Sequence, residues 1–85
     1  MNTENLKYLE SLYKQYNTTV KILISEVEVS YEEFPASIFN EIRAFNDHIA
    51  RCYLDDFIEN KIKDELERAE SHLKRIIFDC FKYLN

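Results

Sequence analysis

The segment Ile58-Glu59-Asn60-Lys61-Ile62-Lys63-Asp64-Glu65-Leu66-Glu67-Arg68-Ala69-Glu70-Ser71-His72-Leu73-Lys74-Arg75-Ile76-Ile77-Phe78-Asp79-Cys80-Phe81-Lys82-Tyr83-Leu84 decides the fold. Its apolar residues recur at Ile58, Ile62, Leu66, Ala69, Leu73, Ile76, Cys80 and Tyr83, in steps of four and three, with Ile77, Phe81 and Leu84 beside them. That spacing draws one stripe down an α-helix, whereas a half-buried strand would alternate every second residue. Glu59–Lys63, Asp64–Arg68 and Glu70–Lys74 place each acid four residues before its base, the favourable order on a solvated helix face, worth ~0.2–0.5 kcal/mol per pair. Asp56 and Glu59 have the spacing of a capping box, so the helix is expected over 56–84.

Moving towards the N-terminus, the register breaks at Asp55-Asp56, because continuing from Cys52 would put Asp56 and Glu59 in the seam. Before the break, Ile38, Ile42, Phe45, Ile49 and Cys52 form a second stripe, widened by Phe39 and Tyr53. Pro35 suits the first turn of that helix, expected over 35–54. Further back, Leu6, Leu9, Tyr13, Tyr16, Val20, Leu23 and Val27 form a third stripe, and a helix is expected over 3–29 with fraying after Glu28. The β-branched residues between Thr18 and Val29 favour a strand on propensity, but no second strand-like run exists to complete its ladder.

Three long helices joined by short connections predict an all-α fold, an antiparallel three-helix up-down-up bundle forming a single helical domain over 1–85. The absence of Gly and Pro near Asp55 leaves open a fusion of the second and third helices into one, with exchange between subunits. A domain of 85 residues buries about 60–65% of its unfolded surface, so its core is thin and a partner subunit helps it. Tyr8, Leu12, Ile24 and Phe78 extend the apolar faces beyond a single stripe, and the bundle is expected to be completed by homo-oligomerisation.

Composition removes several function classes. With no Gly in the chain there is no Gly-rich phosphate loop, no dinucleotide fingerprint and no nucleophile elbow, since each needs a residue without Cβ where the backbone turns tightly. Eleven Lys and Arg against sixteen Asp and Glu give a net charge of −5, which repels nucleic acid on average. The opening Met1-Asn2-Thr3-Glu4-Asn5 has no positive signal-peptide start, and the longest aliphatic run, Ile22-Leu23-Ile24, is far too short to span a bilayer. A cytoplasmic protein with no membrane partner is expected.

His48 and Cys52, with His72 and Cys80, raise a zinc reading. His72 and Cys80 are separated by about 12 Å along a helix, whereas zinc donors must lie within about 4 Å of one another, so no metal and no cofactor are expected. Both cysteines fall in apolar seams and read as buried, inert thiols. No Glu-x-x-His motif of a di-iron bundle is present, and the acid pairs Glu32-Glu33 and Asp55-Asp56 suit helix ends.

One further pattern is Arg43-Ala44-Phe45-Asn46-Asp47-His48, within Asn40 to Arg51, followed by Glu65-Leu66-Glu67-Arg68-Ala69-Glu70-Ser71-His72-Leu73-Lys74-Arg75. Over roughly residues 40–82 the chain resembles the HEPN superfamily of small helical bundles, whose motif is an Arg, four to six residues, then His. The resemblance implies a metal-independent ribonuclease with a composite site across a dimer, in which His48 performs acid–base chemistry and Arg43 steadies phosphorane charge. It equally implies the non-catalytic binding bundles of that group. Five residues apart on a helix, Arg43 and His48 project about 140° from one another, so one copy does not aim both at a phosphate.

The expected function is therefore a non-enzymatic helical protein-interaction and assembly module, whose partners are proteins and first of all itself. One alternative is the HEPN-type ribonuclease using Arg43 and His48, the only reading that brings nucleic acid in as a partner. The other is a small acidic inhibitor, antitoxin-like, that binds a nucleic-acid enzyme through its Glu and Asp faces.

Overall fold

The computed structural model describes residues 1–54 and 57–85. Among the described residues every regular element is helical: α1 (Thr3–Gln15), a π-helical turn (Tyr16–Val20), α2 (Lys21–Ser30), α3 (Ala36–Arg51) and α4 (Glu59–Leu84). Right-handed helical backbone angles continue through Tyr16, Val20 and Lys21, so α1, the π-turn and α2 form one rod. Asn5 near the start of the rod bonds Glu59 at the start of α4, and the Tyr31 hydroxyl just past its end donates to the Tyr83 carbonyl, so rod and α4 run parallel. His48 meets Glu65 and Glu41 meets His72, which makes α3 antiparallel to α4. The expected all-α, up-down-up topology is the one observed.

Helix α4 is the hub. Both the rod and α3 pack their backbones against it, while the rod reaches α3 through aromatic rings. Tyr13 meets Phe45 edge-on with centroids 6.1 Å apart, and Tyr16 stacks on the same ring at 6.3 Å. The Cα envelope measures 42 × 21 × 14 Å, a flattened layer of three helices. The core of this layer is one cluster that draws on every helix: Leu9, Leu12, Val20, Ile24 and Val27 from the rod, Ile38, Phe45 and Ile49 from α3 with Cys52 just past its end, and Ile62, Leu66, Ala69, Leu73, Ile76 and Cys80 from α4.

The α4 stripe is thus the expected one except at its two ends, where Ile58 and Tyr83 are exposed. The rod departs further. Leu6 and Tyr13, expected in the seam, are exposed, and Asn5 and Leu12 take their places. The π-turn is the physical reason: a turn closed by i→i+5 bonds contains one extra residue and rotates the upstream inward face back by about one position. Its bond runs from the Lys21 N–H to the Tyr16 carbonyl, and the Thr18 hydroxyl donates to the Lys14 carbonyl at 2.9 Å, within the widened stretch. Leu12 is consequently a core residue, Ile24 downstream of the turn is buried too, so neither belongs to an outer apolar face, and Tyr8 is half-buried. Of those four residues, Phe78 alone stays exposed.

Helix boundaries also shift. The rod stays helical to Ser30, where Tyr31 turns extended, so the fraying expected after Glu28 is not seen. Pro35 stands one position before the first helical residue of α3, its carbonyl accepting the Phe39 N–H at 3.2 Å. Phe39 and Tyr53 point outward and do not widen the buried face. The N–H groups of Cys52, Tyr53 and Leu54 bond the carbonyls of Ile49, Ala50 and Arg51, which tightens the end of α3. The chain then reverses, so α3 and α4 are separate helices and are not fused. Helix α4 starts at Glu59, not at 56, with Ile58 as an extended N-cap and no side-chain cap bond. The Asp56 half of the expected capping box lies outside the described residues.

None of the three expected surface pairs on α4 reaches ion-pair distance among the described residues. Glu59 instead accepts the Asn5 amide at 2.7 Å and lies 3.7 Å from the Met1 amine. The Asn2 backbone N–H, and then the Asn5 amide, hold its carboxyl below the usual carboxylate range. Glu70 accepts the Tyr8 hydroxyl at 2.5 Å, and burial together with that carboxylate pushes the Tyr8 phenol well above its ordinary value. A cross-helix bond of ~0.5–1.5 kcal/mol outweighs an intrahelical pair of ~0.2–0.5 kcal/mol, so the acids turn towards the rod.

Candidate functional site

Both histidines of the chain meet in the seam between α3 and α4, each with a glutamate of the facing helix. Both helices carry a Glu two turns before a His: Glu41 and His48 on α3, Glu65 and His72 on α4. Because the helices are antiparallel, stepping two turns back along α3 means stepping two turns forward along α4, and the four residues pair crosswise. His48 Nδ1 lies 2.7 Å from Glu65 and His72 Nδ1 lies 2.5 Å from Glu41. The two imidazoles stack, their centroids 5.1 Å apart and their planes 16° from parallel.

An ionised carboxylate only accepts hydrogen bonds, so Nδ1 is the donor in each pair. Arg51 Nη1 is 3.1 Å from His48 Nδ1 and 3.6 Å from Glu65. With Nδ1 already donating, the Arg51 guanidinium acts on Glu65 by charge attraction and not as a donor to the ring. The side chains of His48 and Glu65 are 14% and 12% exposed, which excludes most water from the pair. A carboxylate-oriented imidazole is the unit of acid–base chemistry when its free nitrogen meets a substrate. Three surface grooves of this chain lie elsewhere, beside α2, beside Tyr13 and Tyr53, and along Asp64 to Ser71. In this chain the two crossed pairs tie α3 to α4 as a polar clasp between the helices.

The two residues singled out from the sequence are not brought together within one chain. Arg43 is exposed and has no ion-pair partner among the described residues, while His48 faces α4. Sequence reasoning missed Glu41, Glu65 and His72 as partners. The available signal was the repeated Glu-x6-His spacing, which acquires meaning once the helices are known to be antiparallel.

Cys52 is buried at the end of α3, its thiol directed to the carbonyls of His48 at 3.5 Å and Ile62 at 3.8 Å. Cys80 is fully buried in α4. Burial pushes both thiols up, helped by the charge of Glu65 at Cys52 and of Asp79 at Cys80. Among the described residues no group of three or more His, Cys, Asp or Glu side chains is placed to hold a metal ion. Thiol titration is expected to be slow on the native protein and fast in denaturant, because the reactive thiolate is suppressed and unreachable until the core opens. Rapid native labelling of both thiols would contradict the packing described above.

Among the described residues no helix is long and apolar enough to cross a membrane. Set against protein-family models, curated proteins and solved structures, the chain matches none of them.

Proposed function

We propose that this chain is a helical protein-interaction module without turnover of its own, and that it associates first with itself. The observation that carries this reading is the amount of large apolar surface left outside a thin core: Val29 is 89% exposed, Tyr53 67%, Phe78 65% and Ile58 61%. Burying a side chain of this size is worth ~1.5–3 kcal/mol, so each of them that a second copy covers adds to the free energy of association. The separation of Arg43 from His48, and the engagement of His48 with Glu65, weigh against a ribonuclease site in a single chain.

Light scattering at micromolar concentration is expected to give at least twice the 10.3 kDa chain mass. The melting temperature is expected to rise with protein concentration, by mass action. A monomer at every concentration tested would end the self-association reading. RNA cleavage by the wild type that both Arg43→Ala and His48→Ala abolish, with fold and oligomer intact, would replace it with the ribonuclease.

A further inference from the structure

Thr18-Thr19-Val20-Lys21-Ile22-Leu23-Ile24-Ser25 is helical in the fold, against its own composition. Five of these eight residues are β-branched, none is Gly or Pro, and Lys21 carries the single charge. Branching at Cβ stiffens a side chain against the preceding helical turn and suits a pleated strand. The run also crosses from the π-turn into α2, so the pattern of its backbone bonds changes within it.

Packing is what holds it helical. In the rod Val20, Ile24 and Val27 are buried, while Ile22 is 54% exposed. Among the described residues, α4 is the one helix outside the rod whose backbone packs on this segment, so the helical form is supported from one side. An extended backbone sorts the same residues differently. Alternation every second residue puts Thr18, Val20, Ile22 and Ile24 on one face, all of them β-branched, and Thr19, Lys21, Leu23 and Ser25 on the other.

Within one chain such a strand lacks a partner, because no second run of this kind is present. A second copy removes that obstacle, since it brings the identical run. Identical strands stack with every backbone group paired to the copies above and below, and their apolar faces interdigitate. We infer that residues 18–25 are a latent strand: when their packing on α4 loosens, copies of this segment pair with one another in a cross-β ladder whose dry face is Val20, Ile22 and Ile24. The second copy is met through this backbone and not through the folded surface, so the inference goes beyond self-association of the folded chain and does not rest on it.

The test follows thioflavin T fluorescence and far-UV circular dichroism of the full chain, agitated at the wild-type melting midpoint. Wild type is expected to lose its helical signal, gain a β signal and give a fibre reflection at about 4.7 Å. Leu73→Ala, which opens the core on the α4 side, is expected to convert already below that temperature. The discriminating variant is Ile22→Lys. Because Ile22 is exposed in the helix, its replacement is expected to leave native circular dichroism and melting unchanged. In the strand the same replacement sets a charge in the middle of the apolar face, and conversion is expected to be lost. Phe78→Lys removes a comparably exposed apolar side chain from α4 and is expected to convert like wild type.

Absence of a β signal from wild type at its melting midpoint would overturn the proposal, and so would undiminished conversion of Ile22→Lys. Loss of conversion in Phe78→Lys as well would overturn it in favour of aggregation through exposed apolar side chains in general. Light scattering well below the melting transition reads association of the folded chain separately, so the failure of either reading is told apart from the failure of the other.

Discussion

Leu73→Ala is expected to lower the free energy of unfolding by ~2–5 kcal/mol, the cost of removing a buried leucine and leaving a cavity. Leu73 is fully buried midway along α4, the helix on which both other elements pack. Domains of this kind have total stabilities of ~5–15 kcal/mol, so the variant is expected to melt far below wild type in far-UV circular dichroism. Ile49→Ala is expected to cost a comparable amount from the α3 side. Phe39→Ala, on an exposed ring, is expected to stay within about 0.5 kcal/mol of wild type. A Leu73→Ala cost below that of Phe39→Ala would mean that α4 is not the centre of the fold.

Glu65→Ala is expected to have the next largest effect, ~1.5–3 kcal/mol, the range of a hydrogen bond to a charged group. The carboxylate accepts from His48 and holds the Arg51 guanidinium. Its loss leaves the His48 N–H without an acceptor inside the α3–α4 seam. Arg51→Ala removes a half-exposed charge 3.6 Å away and is expected to cost under about 1 kcal/mol. Glu41→Ala is expected to resemble Glu65→Ala, since it occupies the equivalent place against His72. Urea unfolding of Glu65→Ala, His48→Ala and the double variant gives the coupling energy directly. Additive costs would show that the two side chains are neighbours without a clasp between them.

The sequence made the α4 and α3 stripes legible because apolar spacing at 3.6 residues is a property of the helix itself. Ile62, Leu66, Ala69, Leu73, Ile76 and Cys80 are buried as that spacing requires, and so are Ile38, Phe45, Ile49 and Cys52. The candidate site was less legible. His48 stands beside the apolar stripe of α3, but its partners lie seventeen and more residues away, on a helix whose direction and depth no local pattern encodes. Glu59 and Glu70 were read as partners of Lys63 and Lys74 by the i,i+4 rule. They left those partners because Asn5 and Tyr8 of another element offered stronger bonds.

Taken alone, the residue order determined that the regular elements are helices, where the reversal at Pro35 must fall, and which side of α3 and of α4 is apolar. Those are local consequences of side-chain size, branching and backbone geometry, felt within one or two turns. Tertiary structure decided the rest. The π-turn at Tyr16–Val20 places Leu12 rather than Tyr13 in the core, and packing has to select it because an isolated helix gains nothing from the extra residue. Antiparallel pairing turns two Glu-x6-His spacings into crossed bonds. By drawing Glu59 and Glu70 of α4 towards the rod, the same packing takes from Lys63 and Lys74 the partners that the i,i+4 rule assigns them, since an acid bonded to another element no longer answers to its own helix.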